Sequence, residues 1–427
     1  MDPGVLTFLL FLFLVFTGMH IGFAIGIAGT VGMFLLDIPI FVLPQRLNEG
    51  LSVFPFVAVP LFFLAGELMS QGGVSKRLID FASIIIGRLT GGLAMVTVAA
   101  CMFFAGVSGS AIADTAAIGS IMIPAMIVWG YDARFSTALT ACAGTIGPII
   151  PPSVPMVIYA VVASTSIGKM LLGGVIPGVL MGLSLMVISY YITKKRHYRG
   201  YDKRFTVREF FRSFKDAALA LIMPLIIVGG IISGKFTATE SAGVAVIYSL
   251  ILGVFVYKEL KWRNIPRIFI NVAIATATVM FIVAGAAVFV WAVTYVGLPQ
   301  RFAQLVSFFG TTKFLVILII NCILFIVGMI IDTTSAIIIF TPLLLPVAKQ
   351  FGINEIHFGI MMMVNLTIGM VTPPFAVCLF VGCGISRVKI GDLIPDLIRL
   401  LPPLLIILLI ISYFPEIWIW LPNLLIK

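Results

Sequence analysis

Residues 106–124, GVSGSAIADTAAIGSIMIP, interrupt a hydrophobic run with small and polar side chains. Residues 328–342, GMIIDTTSAIIIFTP, repeat this pattern later in the chain. In both stretches an Asp is followed by Thr, and a Pro stands ten residues after the Asp. The corresponding residues are 218 positions apart: Asp114 and Asp332, Pro124 and Pro342.

A proline-rich signal follows each of these stretches. Residues 146–152 read IGPIIPP and residues 368–374 read IGMVTPP, and these two segments are 222 positions apart. Two unlike signals thus recur in the same order with only a four-residue change of offset. We interpret this as an internal duplication, which fixes the architecture of the chain.

The composition places the chain in a membrane. Of its 427 residues, 61% are hydrophobic and 10% are charged, and the mean hydropathy is +1.19. Soluble domains are about 45–50% apolar and about 25% charged. A transmembrane helix needs about 20 apolar residues, so the apolar runs leave room for roughly ten helices. We therefore predict an all-α polytopic membrane protein without a separate soluble domain.

The net charge of +10 is concentrated in one loop. Clustering of this kind is typical of a cytoplasmic loop under the positive-inside rule, and we do not interpret it as a nucleic-acid surface. The basic residues of this loop are Lys194, Lys195, Arg196, Arg199, Lys203, Arg204, Arg208, Arg212 and Lys215.

The five cysteines, at positions 101, 142, 322, 378 and 383, all lie within apolar runs. We expect them to pack as small hydrophobic side chains, with neither a disulfide framework nor a transition-metal site. The chain contains no GxxxxGK[ST] motif, so ATP is not expected to drive it.

The two polar stretches predict re-entrant helical hairpins, because apolar character resumes after each of them too soon for a full crossing. The segments around residues 147–152 and 369–374 predict broken helices, since proline removes backbone donors and clashes with the preceding turn. Residues 74–89 and 299–309 are amphipathic and predict arm helices at the membrane surface.

The start of the chain allows two interpretations. Residues 5–36 form either two short helices that meet near residues 18–22 or one tilted helix. No Lys or Arg precedes Arg46, which favours an external N-terminus and hence the two-helix interpretation. Near the other end, Trp418 and Trp420 are expected to be interfacial anchors.

An odd number of predicted crossings separates the two hairpins, so the two repeats are inverted. We divide the chain into scaffold helices with a first arm (1–90), a first transport repeat of hairpin and broken helix (91–169), scaffold helices with the basic loop and a second arm (170–310), a second transport repeat (311–390) and a C-terminal scaffold helix (391–427).

Inverted repeats with hairpins and broken helices match the plan of secondary transporters, which bind substrate and ions where discontinuous helices meet. A broken helix offers free N–H groups to an anion and free carbonyls to a cation. Glycine lets a ligand reach the backbone, and Ser and Thr add oxygens suited to Na⁺. The candidate sodium-binding residues are Gly106, Ser108, Ser110, Gly147 and Pro151 in one repeat, and Gly328, Thr333, Thr334, Gly369 and Thr372 in the other.

Less specific explanations compete with this one. Small residues also let helices pack closely in membranes. Asp114 and Asp332 are either helix caps or ligands of an ion or proton, and both roles can hold together. The GVSG at residues 106–109 also fits the GxSG of rhomboid proteases, which need a nearby His, but the second repeat lacks this Ser. A channel is disfavoured, because hairpins that approach from opposite faces tend to seal a path.

The residues also resemble a known family. Residues 106–124, the turn GKFTATE at 234–240, the segment at 368–374 and the chain length together resemble the large membrane subunit of TRAP (tripartite ATP-independent periplasmic) transporters, the DctM type, across essentially the whole chain. This resemblance implies an ion-transporter-superfamily fold with an elevator mechanism, in which the hairpins and broken helices move as one block within a scaffold.

The resemblance also implies the ligands and partners. It implies sodium coupling, a separate small four-helix membrane subunit of the DctQ type and a periplasmic substrate-binding protein of the DctP type. Family substrates are mostly organic acids, including C4-dicarboxylates and sialic acids. By position, substrate would bind between the tips, at Ser108, Gly109, Asp114, Asp332 and Thr333. The alternative is a stand-alone sodium/anion symporter of the related dicarboxylate class, which typically carries an SNT tip motif that is absent here.

Overall fold

The computed structural model describes residues 2–198, 200, 206–309 and 312–426, apart from the side chains of residues 305, 307 and 309. Regular structure in these residues is helical throughout. The first half contains α1 (Pro3–Phe16), α2 (Ile21–Leu35), α3 (Val42–Leu51), α4 (Ala58–Gln71), α5 (Val74–Ile86), α6 (Gly92–Ser108), α7 (Ala111–Val128), α8 (Ala133–Gly144), α9 (Val154–Val162), α10 (Ile167–Gly173) and α11 (Val175–Lys195).

The second half contains α12 (Val207–Ile232), α13 (Ala238–Ile251), α14 (Ile265–Tyr295), α15 (Leu298–Phe309), α16 (Lys313–Ile330), α17 (Thr333–Gln350), α18 (Glu355–Gly369), α19 (Val377–Ser386), α20 (Ile390–Tyr413) and α21 (Glu416–Leu425). Within the described residues, nine helical segments are long and apolar enough to cross a membrane. The predicted all-α polytopic architecture is therefore confirmed.

The start of the chain forms two short helices, as the charge distribution favoured. Helix α1 ends at Phe16 and α2 begins at Ile21, where the ring of His20 accepts a hydrogen bond from the Gly22 backbone N–H. Asp2 pairs with Arg301 of α15, and Arg77 of α5 pairs with Glu259 at 3.0 Å. Each predicted arm helix is thus tied to a distant part of the chain. Of the basic loop, Arg199, Lys203 and Arg204 lie outside the described residues.

Both predicted hairpins return to the side from which they start. Near the open end of the first hairpin, the Thr97 hydroxyl of α6 lies 3.3 Å from the Met126 sulfur of α7. At the open end of the second, Lys313 at the start of α16 donates to the Gly352 carbonyl, just after α17, at 3.3 Å. Only two residues connect the helices of each hairpin. Each connection is therefore a tight tip.

Helix boundaries show that the two repeats share one constant offset of 222 positions. Helices α7 and α17 both have 18 residues and begin and end 222 positions apart, and α6 and α16 end 222 positions apart. This register pairs the helix caps Ser110 and Asp332, and it pairs Pro124 with Pro346. The sequence-based pairing of Asp114 with Asp332 at 218 positions is therefore wrong, because Asp114 lies four residues inside its helix.

The broken helices connect the two repeats. Helix α8 packs on α7, and after the break the chain continues as α9, which packs on α17 of the other repeat. In the same way α18 packs on α16, and after the second break α19 packs on α7 and α8. The Tyr159 hydroxyl of α9 donates to the Glu355 carbonyl at 2.6 Å. Hairpins and broken helices thus form one continuous block.

A second group of helices packs around this block. Helix α14 packs against α2 and α3, and α13 packs against α4. Glycines allow these helices to approach closely: a Cβ at Gly29 would lie 2.7 Å from the Phe289 backbone nitrogen, and a Cβ at Gly50 would meet the Ala287 methyl. Helices α11 and α20 pack on each other and on α8, away from this group.

In the turn at 234–240, Thr237 is the helix cap, and Glu240 completes its capping box. Two local expectations were wrong. Trp418 is 1% exposed and donates to the Ile411 carbonyl, so it is a packing residue, unlike Trp420, which is 51% exposed. Cys322 is exposed, whereas Cys101, Cys142 and Cys378 are buried as expected.

The close packing of α2 on α14 predicts a contrast between two neighbouring glycines. We expect Gly29→Ala to lower the melting temperature of the purified protein, because its Cβ would overlap the backbone of Phe289, at a cost of about 1–3 kcal/mol. Gly26→Ala is the matched control, since its Cβ would only touch Gly285 at 3.9 Å. Equal melting temperatures of the two variants in detergent would contradict this packing.

Candidate functional site

The first hairpin tip requires glycine at Gly109. Its φ of +62° is in the left-handed region, and a Cβ there would lie 2.6 Å from the Pro152 carbonyl oxygen. Glycine therefore serves the turn and also lets the tip touch the first broken helix. This contact brings together the two signals that the sequence placed 40 residues apart.

Asp114 is the buried charged group behind this tip. It is fully buried, and its Oδ1 accepts a hydrogen bond from the Ser108 hydroxyl. Its Oδ2 has no hydrogen-bond partner among the described residues, and the ion pairs of those residues do not include it. The Ser108 hydroxyl also accepts from the Ser110 backbone N–H at 3.2 Å. A buried carboxylate with a vacant oxygen is costly unless a cation or a proton compensates it.

Gly147 lies directly against this vacant oxygen. A Cβ at Gly147 would stand 2.6 Å from Asp114 Oδ2 and 3.0 Å from the Ser110 carbonyl carbon. The broken helix therefore approaches Ser110 and Asp114 with bare backbone, that is, at a residue without a side chain. Gly106 instead faces Pro224 of α12, and its Cβ would also lie 3.6 Å from the Pro151 carbonyl oxygen.

The first break runs from the end of α8 at Gly144 to the start of α9 at Val154. Pro151 and Pro152 are joined by a cis peptide bond. Ser153, which was absent from the sequence-based candidates, caps α9 by accepting from the Met156 N–H at 3.3 Å and donates to the Pro148 carbonyl at 2.5 Å. Its place between a Pro pair and an apolar run is a helix-start signal that could have identified it.

The second tip uses its carboxylate differently. Asp332 is the N-cap of α17: its Oδ2 accepts from the Ser335 N–H at 3.1 Å and its Oδ1 from the Ser335 hydroxyl at 2.5 Å. Of the two roles left open by the sequence, the structure shows the capping role for Asp332. The position equivalent to Asp114 is Ala336, so the second repeat has no carboxylate inside this helix.

The second tip also meets its own broken helix through bare backbone. Gly328 and Gly369 are so close that a Cβ on Gly369 would overlap the Gly328 backbone. The Thr333 hydroxyl lies 3.1 Å from the Met370 sulfur. Thr372 donates to the Ile368 carbonyl at 2.9 Å, so its oxygen still has acceptor capacity. The Thr334 side chain makes no hydrogen bond that was found among the described residues.

A buried polar network was missed by the sequence analysis. Asn365 of α18 donates to the Asn321 side chain of α16 at 2.8 Å, and Asn321 donates to the Ser412 hydroxyl of α20 at 3.1 Å. His357 lies 2.9 Å from the Ser412 carbonyl oxygen. Amides within apolar helices are costly unless they are paired, which was a usable signal. The network joins α20 to the second hairpin and its broken helix.

The protease interpretation finds no support in this geometry. The Ser108 hydroxyl is bonded to Asp114, and no hydrogen bond among the described residues links it to a histidine. His20 caps α2, and His357 is bonded to Ser412. Clusters of metal-ligating side chains were also not found in the described part of the chain. The arrangement can hold a hard cation by oxygen atoms, and it presents the N-terminus of α7 to an anion.

Known proteins are similar to this chain in sequence. The model of the DctM component of tripartite ATP-independent periplasmic transporters matches residues 8–417. The sialic acid TRAP transporter large permease protein SiaM of Vibrio cholerae is 39% identical over 96% of this chain and 96% of its own. The C4-dicarboxylate TRAP transporter large permease protein DctM of Pseudomonas aeruginosa is 39% identical over 88% of each chain.

The isethionate TRAP transporter permease protein DctMQ of Oleidesulfovibrio alaskensis is 40% identical over 97% of this chain. The aligned region spans 66% of that relative's length. Among solved structures, the YdaH transporter of Alcanivorax borkumensis aligns with a TM-score of 0.64 and 15% identity, over 90% of this chain and 89% of its own. This likeness shows the fold alone, and it agrees with the predicted fold class.

The two carboxylates predict different responses to substitution. We expect Asp332→Asn to keep the melting temperature near that of the wild type, because Asn is also a good N-cap, whereas Asp332→Ala should cost about 0.5–2 kcal/mol. Thermal unfolding in detergent measures both variants. Equal destabilisation by Asn and Ala would show that the charge of Asp332, rather than its capping, stabilises the fold.

Proposed function

This chain belongs to the family of DctM components of tripartite ATP-independent periplasmic transporters, and we propose that it couples uptake of an organic acid to the inward movement of Na⁺. Membership of this family confirms the resemblance noted from the sequence and makes the chain a transporter component, not an enzyme. It also confirms the predicted location, a multi-pass protein of the bacterial inner membrane.

The observation that carries the proposal is the vacant Oδ2 of Asp114, buried between the first tip and the bare backbone at Gly147. A sodium ion here would compensate the carboxylate charge, and oxygen atoms of the tip and the break would complete its coordination. The proposed first sodium site comprises Gly106, Ser108, Ser110, Gly147 and Pro151. We place Asp114 beside this ion, although the sequence-based prediction put it with the substrate.

The second sodium site is proposed at the equivalent contact of the other repeat. Gly328 and Gly369 bring the second tip and its break together, and the Thr372 hydroxyl retains acceptor capacity next to them. Thr333 and Thr334, in the first turn of α17, would complete this site. Backbone carbonyls dominate it, because its carboxylate, Asp332, is already bonded to Ser335.

Organic acid binding is proposed between the tips, at Ser108, Gly109, Asp332 and Thr333. Helices α7 and α17 begin at these two tips, and the positive ends of their helix dipoles favour a carboxylate or sulfonate group. The negative charge of Asp114 opposes such a ligand until Na⁺ is bound. Sodium binding would therefore precede substrate binding, which gives a physical origin for the coupling. The relatives named for sialic acid, C4-dicarboxylates and isethionate all carry organic anions.

Transport is proposed to follow an elevator mechanism, in which the block of hairpins and broken helices moves against α1–α4 and α12–α14. Among the described residues, the extensive contacts of α11 and α20 are with helices of this block, α6, α8 and α18 among them. We therefore propose that they move with the block, although the sequence-based division placed them with the scaffold. A small membrane subunit of the DctQ type would enlarge the scaffold, and a periplasmic binding protein of the DctP type would deliver the acid.

The test is uptake of labelled organic acids into proteoliposomes. They contain this chain with its small membrane subunit, with or without a Na⁺ gradient and the binding protein. Uptake that requires both additions is expected. Uptake that requires Na⁺ but not the binding protein would favour a stand-alone sodium/anion symporter. Uptake that does not depend on the Na⁺ gradient would exclude sodium coupling.

Asp114→Asn is expected to reduce sodium-driven uptake at least about tenfold, because the amide removes the charge that would face the ion. Its melting temperature should stay near the wild-type value, since the buried charge that lacks a partner is also removed. Uptake at saturating substrate over a range of Na⁺ concentrations measures the effect. Wild-type uptake by this variant would show that Asp114 does not act in sodium binding.

Gly147→Ala tests the same site from the opposite side. Its Cβ would overlap Asp114 Oδ2, so we expect a sodium requirement raised about tenfold. Gly243→Ala is the matched control, because a Cβ at Gly243 has no neighbour within 4 Å among the described residues. A similar sodium requirement in both glycine variants would exclude the Gly147 contact from the site.

A further inference from the structure

A groove of about 660 Å³ lies between α11 and α20, outside the transport site. Three basic side chains line one end of the groove, Lys195, Arg196 and Arg399. Apolar side chains line the rest, among them Ile188, Tyr191 and Ile406. The groove thus has a cationic end and an apolar floor.

The cationic end lies at the cytoplasmic membrane surface. Lys194 and Lys195 occupy the last turn of α11, which leads directly into the basic loop. The apolar floor extends along both helices toward the membrane interior, and Tyr191 and Ile406 are 63% and 56% exposed. Such exposure is expected for side chains that face acyl chains. The charge and the apolar surface therefore match the headgroup and tail levels of one leaflet.

The three basic side chains differ in their ion pairing. Arg196 is paired with Asp396, whose side chain is 6% exposed. Arg399 lies 3.5 Å from the same carboxylate and its side chain remains 56% exposed. Lys195 has no ion-pair partner among the described residues. The single carboxylate of Asp396 is shared by two guanidinium groups, so this end of the groove keeps an excess of positive charge.

We propose that this groove binds an anionic phospholipid of the cytoplasmic leaflet. Lys195 and Arg399 hold its phosphate, and the acyl chains lie along Ile188, Tyr191 and Ile406. Arg196 keeps its bond to Asp396, and this pair fixes the cationic end between α11 and α20. Basic pockets between helices on the cytoplasmic side suit anionic headgroups, and each cation near the surface adds to the attraction.

A lipid fits the groove better than a free anion does. A free phosphate would occupy only the cationic end, and it would meet the Asp396 carboxylate without any gain from the apolar floor. A lipid also buries apolar area along the floor of the groove, which adds a hydrophobic gain that a free phosphate lacks. The lipid would link α11 to α20, the two helices that pack on the block of hairpins and broken helices.

The first test measures lipid binding to the purified full-length chain with its small membrane subunit in detergent. Phosphatidylglycerol, phosphatidylcholine and inorganic phosphate are titrated separately, and bound lipid is counted by native mass spectrometry. We expect saturable binding of phosphatidylglycerol and a rise in melting temperature, with neither effect from the other two. Equal effects of phosphatidylcholine, or stabilisation by phosphate alone, would overturn the proposal.

The double variant Lys195→Gln/Arg399→Gln removes the two cations proposed to hold the phosphate and leaves the Arg196–Asp396 pair intact. We expect phosphatidylglycerol to bind this variant about 30-fold more weakly, the factor that corresponds to two cations at about 1 kcal/mol each. Lys258→Gln/Lys261→Gln is the matched control, because it removes two charges from another cytoplasmic loop. Unchanged affinity in the first variant, or equal losses in both, would contradict the site.

The occupant is identified by crosslinking. A photo-reactive phenylalanine analogue replaces Ile406, and the protein is irradiated in native membranes that contain its small subunit. An adduct with the mass of a phospholipid is expected. An adduct to another polypeptide would show that a partner helix covers the groove, and it would overturn the lipid assignment. Because this variant keeps all three cations, it also tests the groove without changing its charge.

Discussion

The structure depends on one constraint, that backbone polar groups within a membrane must find partners in the protein. Each transport helix breaks where proline removes its hydrogen bonds, and each break is covered by a hairpin tip. Gly109 brings the first tip against the Pro152 carbonyl, and Gly369 brings the second break against Gly328. After its break each helix packs on the hairpin of the other repeat. The breaks are therefore enclosed by the hairpins of both repeats.

The two repeats share their helix boundaries but carry different side chains at the hairpin tips. With a constant offset of 222 positions, Ser110 and Asp332 are equivalent caps, whereas the residue equivalent to Asp114 is Ala336. One repeat therefore caps its hairpin with a hydroxyl and keeps one oxygen of the Asp114 carboxylate without a partner among the described residues. The other uses its carboxylate for the cap and leaves backbone and hydroxyl oxygens at the site. The two inverted copies thus hold negative charge unequally, in agreement with the proposal that Na⁺ binds before the organic acid.

Polar groups outside the site help to hold the block together. Asn365, Asn321 and Ser412 join α18, α16 and α20 through buried hydrogen bonds. On the cytoplasmic side, Arg196 and Asp396 join α11 to α20. Because lipid gives little driving force for helix association, such pairs and the close contacts of small residues hold helices in place. The first connection ties α20 to the second hairpin and its broken helix, and the second ties α11 to α20 beside the groove proposed to bind lipid.

The sequence by itself determined the fold class, the duplication, both hairpins and both breaks, because hydropathy and proline act locally and are strong signals in a membrane. It also singled out Gly147 and Gly369, which the structure places where each broken helix meets its hairpin. Only the tertiary structure decided which residues are equivalent, since helix caps depend on where each turn ends, and it separated the roles of Asp114 and Asp332. It also decided that α20 packs on the broken helices, because the sequence of an apolar helix does not specify which other helix it packs against.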